Sequence, residues 1–219
     1  MSQGASFKNP LVPVIDDPVN IDGPIQEMQL ALAAGLPWLE KSFGRSWESV
    51  RQDSTGKNWI YPEVWQGKGI DLLDCMPNDN LPSQSFFRVE DPITIADYEF
   101  ERYARMNAQI SIIFWFNLEV INPTLTYRYV EILKGQAQRV ITNAAIETGT
   151  FTINRIWEGA ANVFKGYTID QFKNQELIHP WAGFRFECTL NYLENCPDVS
   201  LNPQPTGHFF EPEFEPQFE

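Results

Sequence analysis

The segment from Met106 to Ile121 decides the fold, and it reads MNAQISIIFWFNLEVI. Its polar residues fall mainly on odd-numbered positions, among them Asn107, Gln109 and Ser111. Because successive side chains of a strand point to opposite faces of a sheet, this alternation predicts one long strand with a single buried face. The apolar face holds Met106, Ala108, Ile110, Ile112, Phe114, Phe116, Leu118 and Val120.

A second segment, Ala182 to Tyr192, repeats this alternation near the other end of the chain. We predict that it forms a strand in the centre of the sheet, next to the long strand. Its apolar face holds Ala182, Phe184, Phe186, Cys188, Leu190 and Tyr192, and its other face holds Arg185, Glu187, Thr189 and Asn191.

Three shorter strands are predicted from runs of β-branched and aromatic residues. The first is placed at an edge of the sheet, because Pro62 has no amide hydrogen to donate to a neighbouring strand. The second is expected to end at Asp91-Pro92, after a loop over 67–82. The three strands cover residues 57–66, 83–90 and 151–157.

Apolar residues at spacings of three and four predict two helical regions. The first begins near Ile25, and Gly35 and Pro37 interrupt it, so we expect either a kink or two short helices, the second ending near Glu48. The other region follows Asn122-Pro123 and is predicted to be one helix of about 20 residues.

The order of these elements is helix, strands, helix and strands, with one apolar sheet face for the helices to cover. We therefore predict an α+β fold, a two-layer domain with a largely antiparallel sheet covered by helices on one face. The predicted regions are an extended N-terminal arm at 1–24, where prolines recur, the α+β body at 25–195, and a C-terminal docking arm at 196–219.

The C-terminal arm has an unusual composition. Residues 197–219 hold five prolines, five acidic residues and four phenylalanines, and no lysine or arginine. Such a segment cannot bury enough of its own surface to offset the entropy of ordering, so we expect a neighbouring subunit to hold it. The candidate interface residues are Phe209, Phe210, Phe214 and Phe218 as anchors, Glu211, Glu213, Glu215 and Glu219 for register, and Arg128, Arg139 and Arg155 as cations of the receiving surface.

The net charge of −13 bears on partners. Nonspecific binding of nucleic acid depends on lysine and arginine, so this charge argues against it, although an acidic channel would let DNA slide past without specific binding. Cys75, Cys188 and Cys196 form no C-x-x-C unit, which suggests reduced thiols. The sequence shows neither a signal peptide nor a membrane span, so we expect a soluble protein with no membrane partner.

Enzymatic motifs are not found in the sequence, which has no G-x-S-x-G, Walker A or H-E-x-x-H pattern. His179 precedes Pro180-Trp181 and is interpreted as a structural histidine. A metal site formed by His179, Cys188 and Cys196 is not expected, because their spacing matches no common zinc pattern. We expect a protein that is not an enzyme and needs no cofactor.

Two other functions stay open at this point. An aromatic-rich module that binds carbohydrate or protein would present a row of exposed tryptophans, with Trp47, Trp59, Trp65 and Trp115 as the residues to examine. A small hydrolase would need carboxylates drawn from Asp71, Asp74 and Asp79 to converge in a pocket.

Several short motifs resemble those of one protein family. These motifs are Pro24–Met28, Trp38-Leu39, Ser42-Phe43-Gly44, Pro77-Asn78-Asp79, Ser85-Phe86-Phe87, Ile112–Leu118 and His179–Phe186. They look like motifs of the neck and tail-completion proteins of tailed phages that infect Bacteroidetes, with the crAss-like phages as the nearest case. The last motif also resembles the closing strand of tail-terminator-like subunits, and the resemblance covers roughly residues 24–195.

The resemblance implies a tail-terminator-like fold and a ring-forming body. It implies a structural virion protein of the phage neck or tail, assembled in the host cytoplasm and placed next to the portal or other neck and tail ring proteins. Rings of this kind close through heterologous interfaces, and six or twelve copies around a channel for genomic DNA would match the symmetry of portal and tail.

Overall fold

The computed structural model describes residues 11–52, 54–67, 72–75, 82–99, 103–124, 129–168 and 177–194. Within these ranges it describes every side chain except those of Leu73, Asp74, Glu99 and Tyr103. Residues 1–10 of the predicted N-terminal arm and all of the C-terminal arm therefore lie outside the described residues.

The described residues of the body form seven strands and four helices. The strands are β1 (Lys41–Gln52), β2 (Asn58–Trp65), β3 (Leu72–Asp74), β4 (Ser83–Glu99), β5 (Tyr103–Asn117), β6 (Gly149–Trp157) and β7 (Trp181–Leu193). The helices are α1 (Asp22–Gly35), α2 (Leu118–Ile121), α3 (Tyr129–Asn143) and α4 (Ala160–Val163).

The strands make one sheet in the order β3-β2-β1-β4-β5-β7-β6. Only β1 and β4 run parallel, and all other neighbours are antiparallel. The predicted α+β architecture with a largely antiparallel sheet is confirmed. The predicted neighbourhood of the two longest alternating segments is also confirmed, because β5 pairs with β7 without a register shift.

The larger core lies between one face of the sheet and the helices α1 and α3, and we call it the helix-side core. Phe114 is at its centre, with its ring centroid 5.0 Å from that of Phe184 and 6.0 Å from that of Phe186. Trp38, in the loop after α1, packs against this cluster, and its ring centroid lies 6.0 Å from that of Phe114. The even-numbered residues of β5 and β7 therefore build this core, as their alternation predicts.

The opposite face of the sheet is also partly covered, which the sequence pattern did not predict. Ile113 and Trp115 occupy odd positions of β5, yet both are fully buried in a second core. The ring centroid of Trp115 lies 4.5 Å from that of Phe164, which directly follows α4. The prediction of helices on one face thus holds for α1 and α3, whereas α4 and its flanking residues cover part of the other face.

The predicted helix ending near Glu48 is wrong, because residues 41–52 form β1. Leu39 and Phe43 are spaced as on one face of a helix, but Leu39 lies in the helix-side core and Phe43 in the second core. A loop and a strand therefore mimic helical spacing. Gly35 does end α1, as predicted.

Three predicted boundaries or positions also differ. β4 continues through Asp91-Pro92 to Glu99, with an irregular register between Glu90 and Thr94 that accommodates the proline. β2, predicted at the edge of the sheet, is the second strand from it, because β3 forms within the predicted loop and pairs with part of β2. β5 ends at Asn117, whose side chain accepts hydrogen bonds from the first amides of α2.

The described part of the N-terminal arm packs on its own body. The side chain of Gln29 in α1 donates hydrogen bonds to the carbonyls of Pro13 and Ser42 at 2.8 and 2.7 Å. Gln26 exchanges two hydrogen bonds with the backbone of Ile15. Residues 11–15 are thus hydrogen-bonded to α1 and to the start of β1. Among the described helices, none is long and apolar enough to cross a membrane.

Replacing Phe114 by Ala should lower the free energy of unfolding by about 3–5 kcal/mol, because it empties the centre of the helix-side core. Urea unfolding with matched slopes would measure this. The matched control is Ile132→Ala on α3, whose side chain is 51% exposed and whose truncation should change stability by no more than about 0.5 kcal/mol. Equal effects of the two variants would contradict the placement of Phe114.

Candidate functional site

A polar cleft of about 520 Å³ lies on the sheet face away from α1 and α3. Arg185 of β7 forms its floor, and Glu90 of β4 and Ser111 of β5 stand beside it. These residues come together because β4, β5 and β7 are consecutive strands whose registers place them on the same face. We call this concavity the polar cleft.

Arg185 is a buried charge, only 1% exposed. Its Nη2 donates to Glu90 Oε1 at 2.7 Å, and its Nη1 donates to the Lys165 carbonyl at 3.1 Å. Burial lowers the pKa of Arg185, although the charges of Glu90 and Glu187 act in the opposite direction. The guanidinium is therefore held by the carboxylate and by the chain segment after α4.

Arg88 extends the cluster toward solvent. It pairs with Glu90 at 2.9 Å and with Glu48 at 2.7 Å, and it donates to the same Lys165 carbonyl at 2.9 Å. Gly166 has φ of +95°, and a Cβ there would lie 2.2 Å from Arg88 Nη1. Only glycine therefore lets the chain turn this close to the guanidinium. The two arginines clamp the segment after α4 onto the sheet.

Several charged side chains in and beside the polar cleft form ion pairs with one another. Glu90 serves both arginines, Ser111 donates to it at 3.0 Å, and Glu187 lies 3.5 Å from Arg185. Arg155 of β6 also lines the cleft and makes no ion pair with a described residue. This arrangement holds strands and a loop in register.

An apolar groove of about 340 Å³ lies on the other side, between the N-terminal segment, α1 and the start of the β1–β2 hairpin. The guanidinium of Arg45 stacks over the Trp47 ring at 4.6 Å and lies 3.9 Å from Asp22. Burial raises the pKa of Asp22, and Arg45 partly opposes this. Residues of its apolar lining include Pro13, Ile25, Trp47, Trp65 and Leu72.

The structure separates the predicted interface arginines that it describes. Arg139 is exposed on α3, above the helix-side core, whereas Arg155 is exposed on β6 and lines the polar cleft on the opposite face. They do not share one groove. Arg128 and the predicted arm residues Phe209, Phe210, Phe214, Phe218, Glu211, Glu213, Glu215 and Glu219 lie outside the described residues.

Residues considered for chemistry are also scattered. His179 is exposed just before β7. The described residues hold no group of three or more His, Cys, Asp or Glu side chains that could bind a metal ion. Of the four tryptophans to examine, Trp47 is 40% exposed, whereas Trp59 and Trp115 are buried. Asp71, Asp79 and Cys196 lie outside the described residues, as does the side chain of Asp74.

Sequence reasoning missed the cluster of Arg185, Glu90 and Arg88. The alternation of β7 puts Arg185 on a face that reads as solvent-exposed. A signal was present in the pattern, since Glu90 and Arg185 both fall on polar faces of predicted strands. Their contact requires β5 to lie between those strands, which alternation alone does not specify.

No protein-family model matches this chain, and no curated protein matches it. The motifs that resemble phage neck proteins can nevertheless be placed in the fold. Trp38-Leu39 lies in the helix-side core, Ser85-Phe86-Phe87 is in β4, and Ile112–Leu118 spans β5 and the start of α2. These motifs have packing roles, whereas Pro77-Asn78-Asp79 lies outside the described residues.

Replacing Glu90 by Gln should destabilise the protein by about 3 kcal/mol, because Arg185 would keep its buried charge and lose its main counterion. Urea unfolding would measure the loss. The control is Glu131→Gln, which removes the carboxylate from an exposed pair with Lys134 on α3 and should leave the unfolding midpoint nearly unchanged. A Glu90→Gln midpoint equal to that control would show that the pair contributes nothing.

The two described cysteines should be inert in the native protein. Cys75 and Cys188 are buried, and burial raises the pKa of Cys188 to about 12. In a Cys196→Ser background at pH 8, a thiol reagent should label neither residue until denaturant is added. Rapid labelling of Cys188 in the native protein would contradict its placement in the core.

The raised pKa of Cys188 also predicts a loss of stability in alkali. A free thiol titrates near about 8.5, so the unfolded chain loses this proton at lower pH than the folded chain does. The contribution of the Cys188 thiol to the free energy of unfolding is complete below a pH of about 8.5. It is lost as the pH rises toward about 12. The decline in free energy of unfolding above pH 9 should be shallower in Cys188→Ala.

Proposed function

We propose that this chain is a structural ring subunit of the neck or tail of a tailed phage, with a tail-terminator-like body and terminal arms that dock onto neighbouring subunits. The motifs quoted above support the proposal. In it the ring holds six or twelve copies next to the portal or other ring proteins, and genomic DNA passes through without specific binding. The subunit acts by assembly in the virion.

The outer half of the β4–β5 hairpin is the feature of the structure that best supports an assembly role. β1 pairs with β4 only as far as Phe87, so no described strand covers the outer edge of β4 from Arg88 onward. This part of the hairpin carries Ile95, 53% exposed, and Tyr98, 61% exposed. A two-stranded ribbon is marginally stable alone, and exposed apolar residues on it favour contact with another subunit.

The β1–β2 hairpin has the same character and lies next to the β4–β5 hairpin, because β1 pairs in parallel with β4. Beyond Arg45, β1 pairs only with β2. Trp47 and Val50 are exposed there at 40% and 61%. Heterologous contacts between unlike surfaces of successive copies close into rings, so two different exposed hairpins on one subunit suit such an assembly.

The apolar groove favours a second candidate, a monomeric module that binds a peptide or a carbohydrate. Trp47 and Trp65 line this groove, and an indole face can stack on a sugar or an apolar side chain. This candidate differs from the ring subunit in a measurable way, because it requires no self-association.

The ring proposal predicts the effects of two variants on assembly. Light scattering and native mass spectrometry of the full chain, alone and mixed with its portal partner, should show six or twelve copies in at least one condition. Deleting residues 197–219 should leave the melting temperature unchanged and abolish these assemblies, because the arm is expected to dock on a neighbour. The double variant Ile95→Ser, Tyr98→Ser should weaken them at least tenfold.

The matched control for the double variant is Ile132→Ser, which changes an exposed residue of α3. It should assemble normally. A full-length chain that is monomeric in both conditions, or rings that form normally without residues 197–219, would contradict the proposal. A monomer that binds a sugar or peptide through Trp47 would favour the second candidate.

A further inference from the structure

Apolar and polar side chains alternate over residues 210–219. From Phe210 onward, the even positions are Phe210, Pro212, Phe214, Pro216 and Phe218. The odd positions are Glu211, Glu213, Glu215, Gln217 and Glu219. In an extended chain, alternate side chains point to opposite faces, so one face would be apolar and the other acidic. Proline also favours the extended conformation in itself and in the residue before it.

The prolines occupy only one edge of such a strand. In an extended strand, the N–H and C=O groups of alternate residues point to opposite edges. Pro212 and Pro216 both belong to the even set, so the edge formed by the odd residues keeps all of its amide donors. A strand with prolines on one edge only is suited to be the last strand of a sheet, with its prolines facing away.

β6 offers an open edge of matching length. It is the outermost strand, its nine residues pair only with β7, and no described residue pairs with its other side. It contains no proline, and Arg155 is its only charged residue. Exposed edges usually carry several features that discourage pairing, whereas β6 has only this one charge and one register irregularity, between Ile153 and Arg155. At the opposite end of the sheet, β3 has only three residues.

The two faces of β6 match the two faces of the segment. Phe151, Ile153 and Ile156 are partly buried against the helix-side core. Arg155 and Asn154 lie on the opposite face, in the polar cleft. A strand added with its phenylalanines toward the helices would extend the core, and its glutamates would then lie on the face that carries Arg155.

We infer that residues 209–219 of a neighbouring copy add to the open edge of β6 as an eighth strand, with the phenylalanines on the helix side and the glutamates beside Arg155. The inference rests on the proposed function in one respect, that the donor is a neighbouring copy. The chain leaves β7 next to the start of β6, since Tyr192 pairs with Gly149. The 14 residues at 195–208 can span roughly 46–50 Å, which is enough to reach an adjacent subunit.

Directed crosslinking of two distinguishable full-length chains tests this pairing. In a Cys196→Ser background, one chain carries Thr152→Cys on the polar face of β6, and a longer tagged chain carries Glu213→Cys. Oxidation of the mixed assembly should join the two chains, because both positions lie mid-strand on the same face. The matched acceptor control, Ile132→Cys on the exposed side of α3, should give at least tenfold less of the joined product.

Proline substitutions in the donor test the edge that pairs. Glu215→Pro removes an amide donor from the odd edge and should reduce crosslinking at least tenfold. Pro212→Ala changes the even edge and should reduce it less than twofold. Arg155→Gln should weaken crosslinking, and raising the salt concentration should weaken the parent pair but not this variant, because the lost contribution is electrostatic.

The outcomes separate the pairing from the ring. No crosslink between Thr152→Cys and Glu213→Cys, or full crosslinking by the Glu215→Pro donor, would overturn the inference. A crosslink that forms only within a single chain carrying both cysteines would overturn the neighbouring donor. Crosslinked chains that never reach six or twelve copies on sizing would leave the β6 pairing established and would refute the ring proposal.

Discussion

The pairing of β5 with β7 is the constraint on which the rest of the structure depends. It runs from Arg105 opposite Leu193 to Asn117 opposite Trp181 without a register shift. This register aligns Phe114 with Phe184 and so assembles the aromatic centre of the helix-side core. A slip by one residue would turn every apolar side chain of one strand to the opposite face, which both cores forbid.

The same register fixes the second face of the sheet. It places Arg185 among Glu90, Glu187 and the segment after α4, where the guanidinium finds a carboxylate and a carbonyl. A buried arginine without its counterion is strongly destabilising, so strand pairings that separate Arg185 from Glu90 are penalised. Gly166 completes the arrangement by allowing the backbone to approach Arg88 closely. Charge and packing therefore select one topology together.

Beyond this centre, the sheet ends in exposed elements. The outer halves of two hairpins carry Trp47, Val50, Ile95 and Tyr98, and β6 leaves an edge without a described partner. None of these four side chains belongs to either core. They suit contacts between copies, and the alternating C-terminal segment supplies a strand with matching faces. The proposed ring and the proposed eighth strand thus draw on different surfaces of one subunit.

The sequence by itself determined the elements whose side chains alternate over long stretches. The period of two in β5 and β7, and the period of 3.6 in α3, reflect burial on one side, and local spacing records that burial directly. Spacing failed for β1, where Leu39 and Phe43 enter different cores yet imitate a helix. It failed for Trp115 as well, because segments distant in the chain cover the second face.

Only the tertiary structure decided which polar residues meet. Arg185 lies far in sequence from Arg88 and Glu90, yet it meets both of them. Arg155 and Arg139, which the sequence grouped together, lie on opposite faces. The physical reason is that strand order is set by the sum of many long-range contacts, whereas alternation reports only which side of its own strand each residue occupies.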